Sequence, residues 1–235
     1  MNPDTLPFFE ELAQNNNREW FMDNKCRYDA IREEFIDFTA QIIDELAPLD
    51  PTIGRPDPHK CIYRIYRDLR FTTDKRPYKT HIAFFLSSYG IKRSGEAGYY
   101  LQIGLDDIGA ENPNGLHSGC TLGGGIFMPD KVKLAAIRQE IFYNTGEFLS
   151  IVNDPNYKRY FGDTFFTTKV LSRVPKGYPT GWEHAAWLKY CDYCTMHDVP
   201  AKVLTGDGLK AYVMKVFRAS VPFNRFILQA TTPQQ

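Results

Sequence analysis

The sequence predicts an α+β fold in which a mainly antiparallel sheet packs against a long N-terminal amphipathic helix and C-terminal helices. Three observations support this prediction. Helical periodicity occupies both ends of the chain, and strand-like alternation occupies the middle. The connections between the strand candidates are short, whereas parallel neighbours need crossovers of a dozen or more residues. We expect a single domain over residues 1–235, because this length suits one large hydrophobic core.

The N-terminal helix is predicted to follow the polar QNNN segment, with its N-cap among residues 15–17. Apolar residues then recur at steps of three and four from Trp20 to Leu46, so they share one helical face. A proline-rich loop, APLDPTIGRPDP, ends this helix because proline lacks the amide donor. Further helices are expected at residues 129–143, in short pieces to 161, and from near 207 to at least 217. Pro222 is expected to break or kink the last of these helices.

Six strands are predicted from alternating apolar residues and flanking turn signals. They are expected at residues 60–70, 80–88, 97–104, 116–127, 167–174 and 190–198. Glycine-rich clusters such as SSYGIKRSGEAG separate consecutive candidates. This spacing favours antiparallel pairing between neighbours along the chain.

Composition limits the possible partners. The chain has 28 Lys and Arg and 28 Asp and Glu, so no net charge attracts it to nucleic acid or to an acidic membrane surface. No apolar run is long enough to span a membrane, and the N-terminus lacks the pattern of a secretory signal. Five scattered cysteines favour reduced thiols in the cytoplasm over disulfides. Nucleic acid and membranes are therefore not expected as partners, and nothing indicates the oligomeric state.

Positive charge is concentrated in one segment. Seven basic and two acidic residues lie between Lys60 and His81. Planar guanidinium groups on the polar face of a strand could hold a carboxylate or phosphate through two hydrogen bonds. This predicts a pocket for an anionic small molecule. The candidate anion-binding residues are Arg64, Arg70, Lys75, Tyr78, Lys79 and His81. His81 or Asp68 could donate or accept a proton if a reaction follows binding.

The alternative is a structural ion-pair network in a non-catalytic module that binds a protein or a nucleic acid. Arg67 falls in the apolar row of its strand, where an unpaired charge would cost several kcal/mol. Its expected partners are carboxylates, and Glu19 on the first helix is a natural one. The candidate network is Glu19, Arg67, Asp68 and Asp74.

Other motifs favour structural roles. The LGGGIF cluster lacks the lysine and hydroxyl of a phosphate-binding loop and indicates a bulged or closely packed strand. CDYCTMH contains a C-x-x-C pair with His197, but Cys191 and Cys194 would lie on opposite faces of a strand. Buried thiols are therefore favoured over a metal site, and no metal is expected. No recognised catalytic spacing occurs, and no cofactor is indicated.

Five segments together resemble a widespread family of conserved proteins of unknown function. They are NNNREWF (15–21), YRDLRFTTDKRPYK (66–79), AGYYLQI (97–103), GGGIFMP (123–129) and RVPKGY (173–178). The resemblance covers nearly the whole chain in the same order. It implies no reaction, substrate or cofactor. It does single out charged residues of two distant segments, and we expect the first helix to pack so that Glu19 contacts Arg67 or Arg70.

Overall fold

The computed structural model of the protein describes residues 1–70, 75–88, 90–92, 95–105, 119–204 and 208–232. The strands in these ranges are β1 (His81–Leu86), β2 (Ala97–Gly104), β3 (Thr121–Ile126) and β4 (Tyr193–Asp198). The helices are α1 (Thr5–Gln14), α2 (Arg18–Asp23), α3 (Lys25–Leu46), α4 (Lys131–Tyr143), α5 (Thr145–Val152), α6 (Pro155–Phe161), α7 (Ala201–Leu204) and α8 (Leu209–Thr231). None of these described helices is both long and apolar enough to cross a membrane.

The four strands form one sheet in the order β1-β2-β3-β4, and every neighbouring pair is antiparallel. One face of this sheet carries the core, because α3 and α8 cover it. The ring of Phe35 on α3 lies 5.7 Å from that of Phe84 on β1. The ring of Phe217 on α8 lies 5.1 Å from that of Tyr99 on β2. The predicted α+β class and antiparallel sheet are confirmed.

The predicted long N-terminal helix is two helices, α2 and α3. Asn17 is the N-cap of α2, as expected, since its side chain accepts a hydrogen bond from the amide of Trp20 at 3.0 Å. Asn24 interrupts the helix with φ −103° and ψ 10°. Its side-chain amide donates to the Trp20 carbonyl at 3.0 Å. Asparagine offers the backbone such local hydrogen bonds as an alternative to a continuous helix.

The first predicted strand, 60–70, is not a regular strand. It meets the sheet edge at two isolated bridges, Ile62 with Phe84 and Tyr66 with Tyr78. Three residues separate the bridged positions on one side and five on the other, so a bulge interrupts the ladder. Residues 61–67 therefore form an extended segment beside β1 that we call the edge segment.

The predicted strand at 167–174 is also wrong. Phe166 and Val170 make isolated bridges to Cys194 and Tyr190. Between these bridges, the buried Asp192 carboxylate accepts hydrogen bonds from the amide and hydroxyl of Thr168 at 2.7 and 2.6 Å. The side chain thus uses a backbone donor that a continuous strand would use for pairing.

The last helix, α8, is longer than predicted. It begins at Leu209, while Asp207 lies outside the described residues. Pro222 lies inside α8, so the break predicted there does not occur. Proline removes one helical hydrogen bond, but buried apolar residues such as Phe217 and Phe223 lie on both sides of it. Packing against the sheet outweighs the local cost. The start of α4 also differs from the prediction. This helix begins at Lys131, with Asp130 as its N-cap, two residues after the predicted start.

The glycine cluster of β3 is a closely packed strand, as predicted. The side-chain amide of Asn224 on α8 occupies the space beside Gly124, and a Cβ at Gly124 would lie 2.6 Å from its Nδ2 atom. The same side chain accepts a hydrogen bond from the amide of Gly125 at 2.5 Å. Glycine is required at position 124 because α8 approaches the strand so closely.

Replacing Gly124 with alanine is expected to lower the free energy of unfolding by about 1–3 kcal/mol, because the added methyl group must displace Asn224. Chemical denaturation measures this change. Gly146→Ala on α5 is the matched control, since a Cβ there meets nothing within 4 Å and alanine favours helix. Equal stability of the Gly124→Ala and Gly146→Ala proteins would contradict the packing described.

Candidate functional site

The NNNREWF segment is fixed to the basic segment by Asn16. Its side-chain Nδ2 donates to the Tyr78 carbonyl at 3.0 Å, and its Oδ1 accepts from the Tyr78 amide at 3.0 Å. The carboxamide thus pairs with both backbone groups of one residue, as a residue of a neighbouring antiparallel strand would. The ring of Phe21 on α2 stacks on the buried ring of Tyr78 with 4.1 Å between centroids. These contacts place α2 and the start of α3 beside the edge segment.

Arg67 also bonds to the backbone of Tyr78, since its Nε donates to the Tyr78 carbonyl at 3.0 Å. Glu19, the acid expected to contact Arg67 or Arg70, is exposed on α2. Among the described residues, no ion pair joins Glu19 to an arginine. The neutral side chain of Asn16 makes the connection between the two segments that we expected of a carboxylate.

The other predicted cations near the turn are engaged locally. Arg70 donates from Nε and Nη2 to the two carboxylate oxygens of Asp68 at 2.9 and 2.6 Å. This guanidinium holds the pKa of the Asp68 carboxyl well below its usual range. Lys75 donates to the carbonyl of Leu69 at 3.1 Å. Asp74 lies outside the described residues, so its predicted place in the network stays a prediction.

A groove of about 630 Å³ lies between the edge segment and the first turns of α3, and we call it the edge groove. Four basic side chains line it, namely Lys25, Arg32, Arg64 and Lys79, together with the acidic Asp29 and Asp68. Of the predicted anion-binding residues, Arg64 and Lys79 line the groove. The residues that line it do not include Arg70, Lys75, Tyr78 or His81.

The acids of the edge groove already have cationic partners. Asp29 pairs with Lys25 at 2.5 Å, and Asp68 pairs with Arg70. Arg64 is exposed, and the described part of the chain provides no hydrogen bond or ion pair to its guanidinium group. The donor fork of Arg64 is therefore available to a ligand.

The floor of the edge groove is apolar. Phe21, Tyr28, Ile62 and Ile65 are buried residues that line it. Burial raises the pKa of the Tyr28 phenol to about 12. The ammonium group of Lys79 lies over the ring of Tyr63, 5.2 Å from its centroid. This arrangement can bind a ligand that joins a negative charge to an apolar group.

The C-x-x-C motif lies away from this groove. Cys194 is buried on β4, and burial raises the pKa of its thiol, so the thiolate needed for metal binding is disfavoured. His197 Nδ1 lies 2.9 Å from the Tyr160 carbonyl and Nε2 lies 2.6 Å from the Tyr212 hydroxyl. A carbonyl only accepts, so Nδ1 carries the proton and Nε2 accepts from Tyr212. Across the described residues, no three His, Cys, Asp or Glu side chains form a metal-binding group.

A buried polar cluster was missed from the sequence. Asp50 is fully buried, and its carboxylate accepts hydrogen bonds from the hydroxyl groups of Tyr99 and Thr52 at 2.6 and 2.7 Å. Arg225 Nε lies 3.4 Å from the same carboxylate. A cavity of about 20 Å³ adjoins these side chains and Asn224. A space of this size suits a single water molecule, so the cluster is structural. The sequence feature that could have indicated this cluster is Asn224, a polar residue on the apolar face of α8.

Comparison with known proteins identifies the family. The model of the family described as "Conserved hypothetical protein (DUF2461)" matches residues 4–226. No curated protein and no solved structure matches the chain. The family description states no activity, so the geometry of the chain itself must indicate a function.

Asn16→Ala is expected to lower the free energy of unfolding by about 1–3 kcal/mol, because it leaves the amide and carbonyl of Tyr78 without two of their partners. Glu19→Ala, three residues away, is expected to change it by less than about 0.5 kcal/mol, as is usual for an exposed residue. Denaturant unfolding of both variants tests this contrast. A larger loss in Glu19→Ala would show that the acid fixes the helix.

His197 is expected to make stability depend on pH. Burial lowers the pKa of its imidazole, while the Tyr160 carbonyl and Asp198 oppose that shift. Because the unfolded chain binds a proton more readily, this contribution to stability is complete above about pH 6.5 and is lost as pH falls below it.

The change with pH is measured by chemical denaturation between pH 7.5 and 5 in wild type and His197→Asn. The variant is expected to lose less stability than wild type over this interval. His59→Asn serves as a control because His59 is exposed. An identical pH dependence in all three proteins would exclude this role of His197.

Proposed function

The chain belongs to this family of conserved hypothetical proteins, and we propose that its edge groove binds a small molecule bearing a phosphate or carboxylate group and an apolar group. The observation that carries this proposal is the position of Arg64. Its exposed guanidinium lines the groove and, within the described residues, has no hydrogen-bonded acid. A planar donor fork of this kind binds a carboxylate or phosphate through two parallel hydrogen bonds.

The charges around Arg64 support an anionic ligand. Four basic and two acidic side chains line the groove, and each acid is paired with a cation. The ion pair of Arg32 with the adjacent Glu33 is long, at 3.5 Å. Such an exposed pair contributes little, so Arg32 can turn to a ligand at small cost.

The apolar floor supports a ligand with a second, uncharged part. A volume of about 630 Å³ lies within the range of small-molecule sites, which are mostly apolar with a few polar groups that fix orientation. Phe21, Tyr28 and Ile62 supply that apolar surface. The groove therefore favours an aromatic or aliphatic acid over a bare inorganic ion.

The proposal is one of binding. A proton acceptor works best when its pKa lies near the ambient pH. Asp68 has a pKa well below its usual range, so it is a weak base, and Tyr28 has a pKa of about 12, so it is a weak acid. Neither group is suited to transfer a proton near neutral pH.

The test uses phenyl phosphate and benzoate as anionic probes and benzyl alcohol as the neutral one, with binding measured by calorimetry or by amide shifts in NMR. Arg64→Ala is expected to weaken binding of the anions by about tenfold or more, the usual effect of a charge-assisted hydrogen-bonded pair. Arg55→Ala is the matched control, because Arg55 is an exposed arginine that pairs with Asp44 and does not line the groove.

Both variants should unfold within about 0.5 kcal/mol of wild type, since both side chains are exposed. Benzyl alcohol that binds as tightly as the anions would contradict the proposal. So would an Arg64→Ala protein with wild-type affinity for phenyl phosphate and benzoate.

A further inference from the structure

Within the part of the chain that the structure describes, the edge segment is hydrogen-bonded along one of its two edges. The Tyr63 amide donates to the Ala83 carbonyl at 2.9 Å, and the Cys61 carbonyl accepts from the Phe85 amide at 2.8 Å. Beyond the bulge, the Arg67 amide donates to the Pro77 carbonyl, and the Ile65 carbonyl accepts from the Lys79 amide. The bonded residues of the segment are thus 61, 63, 65 and 67.

The alternate residues Ile62, Arg64 and Tyr66 carry backbone groups that form no hydrogen bond with the described residues. In an antiparallel ladder, consecutive residues direct their amide and carbonyl groups to opposite edges. Within the described chain, no hydrogen bond involves the backbone of these three residues. All three line the edge groove. An unpaired edge of this kind is a template for a further strand.

We propose that the edge groove binds an acidic peptide in extended conformation, which adds as a strand beside residues 62–66. This inference rests on the proposed function, because the cations that hold the anionic group are the same, and it names the ligand class. A peptide is the ligand that matches alternating amide and carbonyl groups along a strand edge, and strand addition is a common mode of peptide recognition.

Charge determines which peptide fits. Arg64 lies in the middle of the unpaired edge, and Arg32 faces the groove from α3. Side chains of an added strand lie about 5 Å from those directly opposite, where opposite charges stabilise and like charges destabilise the pair. Glutamate or aspartate beside Arg64 satisfies this requirement. The apolar floor at Phe21 and Tyr28 accepts the aliphatic side chains between the acids.

The same charge disfavours a second copy of this chain. Two copies that paired their edges antiparallel about a twofold axis through position 64 would bring Arg64 against Arg64. That contact is repulsive, and placing a charge on an exposed edge is a known protection against self-association. The edge is therefore suited to a partner of opposite charge.

The test uses the peptide acetyl-Glu-Val-Glu-Val-Glu-amide, with binding to the full chain measured by calorimetry. Two N-methylated forms separate strand pairing from charge, one methylated at both valines and the other at the three glutamates. Because only alternate residues of a paired strand bond to the edge, one methylated form should bind at least about tenfold more weakly while the other stays within about twofold.

Charge is tested with acetyl-Lys-Val-Lys-Val-Lys-amide, which should not bind. Arg64→Ala should weaken binding of the acidic peptide by about tenfold or more, while Arg55→Ala, outside the groove, should leave it unchanged. Sedimentation velocity monitors self-association. Equal binding of both N-methylated forms, an equal loss in both, or a dimer that the peptide does not dissociate would overturn the proposal.

The outcome is separable from that of the small-molecule proposal. Binding of phenyl phosphate without binding of the acidic peptide would leave the small-molecule function standing and end the peptide inference. Alternating sensitivity to N-methylation without binding of phenyl phosphate or benzoate would support the peptide and reject the small molecule. Failure of every probe would reject both.

Discussion

The pairing of the Asn16 side chain with the backbone amide and carbonyl of Tyr78 is the contact on which the candidate site depends. One wall of the edge groove belongs to α2 and α3, and the other to the edge segment. These walls are distant in sequence, and Asn16 joins them through two hydrogen bonds of 3.0 Å. Tyr78 is buried, and the ring of Phe21 stacks on its ring. Hydrogen bonds in such surroundings are stronger than in water, and breaking them leaves polar groups unpaired.

A second close approach fixes α8 on the sheet. Asn224 on α8 fits against Gly124, and the buried Asp50 is bonded by Tyr99 and Thr52. Burying a carboxylate costs several kcal/mol unless its oxygens are satisfied, so this cluster specifies one arrangement of α8 on the sheet. Burial also keeps these polar groups from ligands. The two clusters therefore differ in role, since only the groups around Asn16 border an open groove.

The sequence predicts structural features set by neighbouring residues better than features set by contacts between distant segments. Helical and strand periodicity predicted the α+β class and the antiparallel sheet, because each pattern is confined to one element. The bulge places residues 79–83 opposite residues 63–65. It depends on pairing between segments more than ten residues apart, so the pattern 60–70 was read as a regular strand.

The candidate site shows the same limit of prediction from sequence. Charge counting placed cations in the right segment, yet it could not tell that Arg70 bonds to Asp68 two residues away and that Arg64 has no such partner among the described residues. The expected helix contact was assigned to the charge of Glu19, whereas Asn16 matches the hydrogen-bonding pattern of a peptide unit. The position of the edge segment at the border of the sheet then determines what the edge groove offers a ligand. Alternate residues of the segment direct their backbone groups away from β1, and Arg64 is one of three such residues whose backbone has no hydrogen bond within the described chain. A cation there disfavours pairing with an identical edge and favours an acidic one, so in our proposal a single side chain would both limit self-association and select the partner.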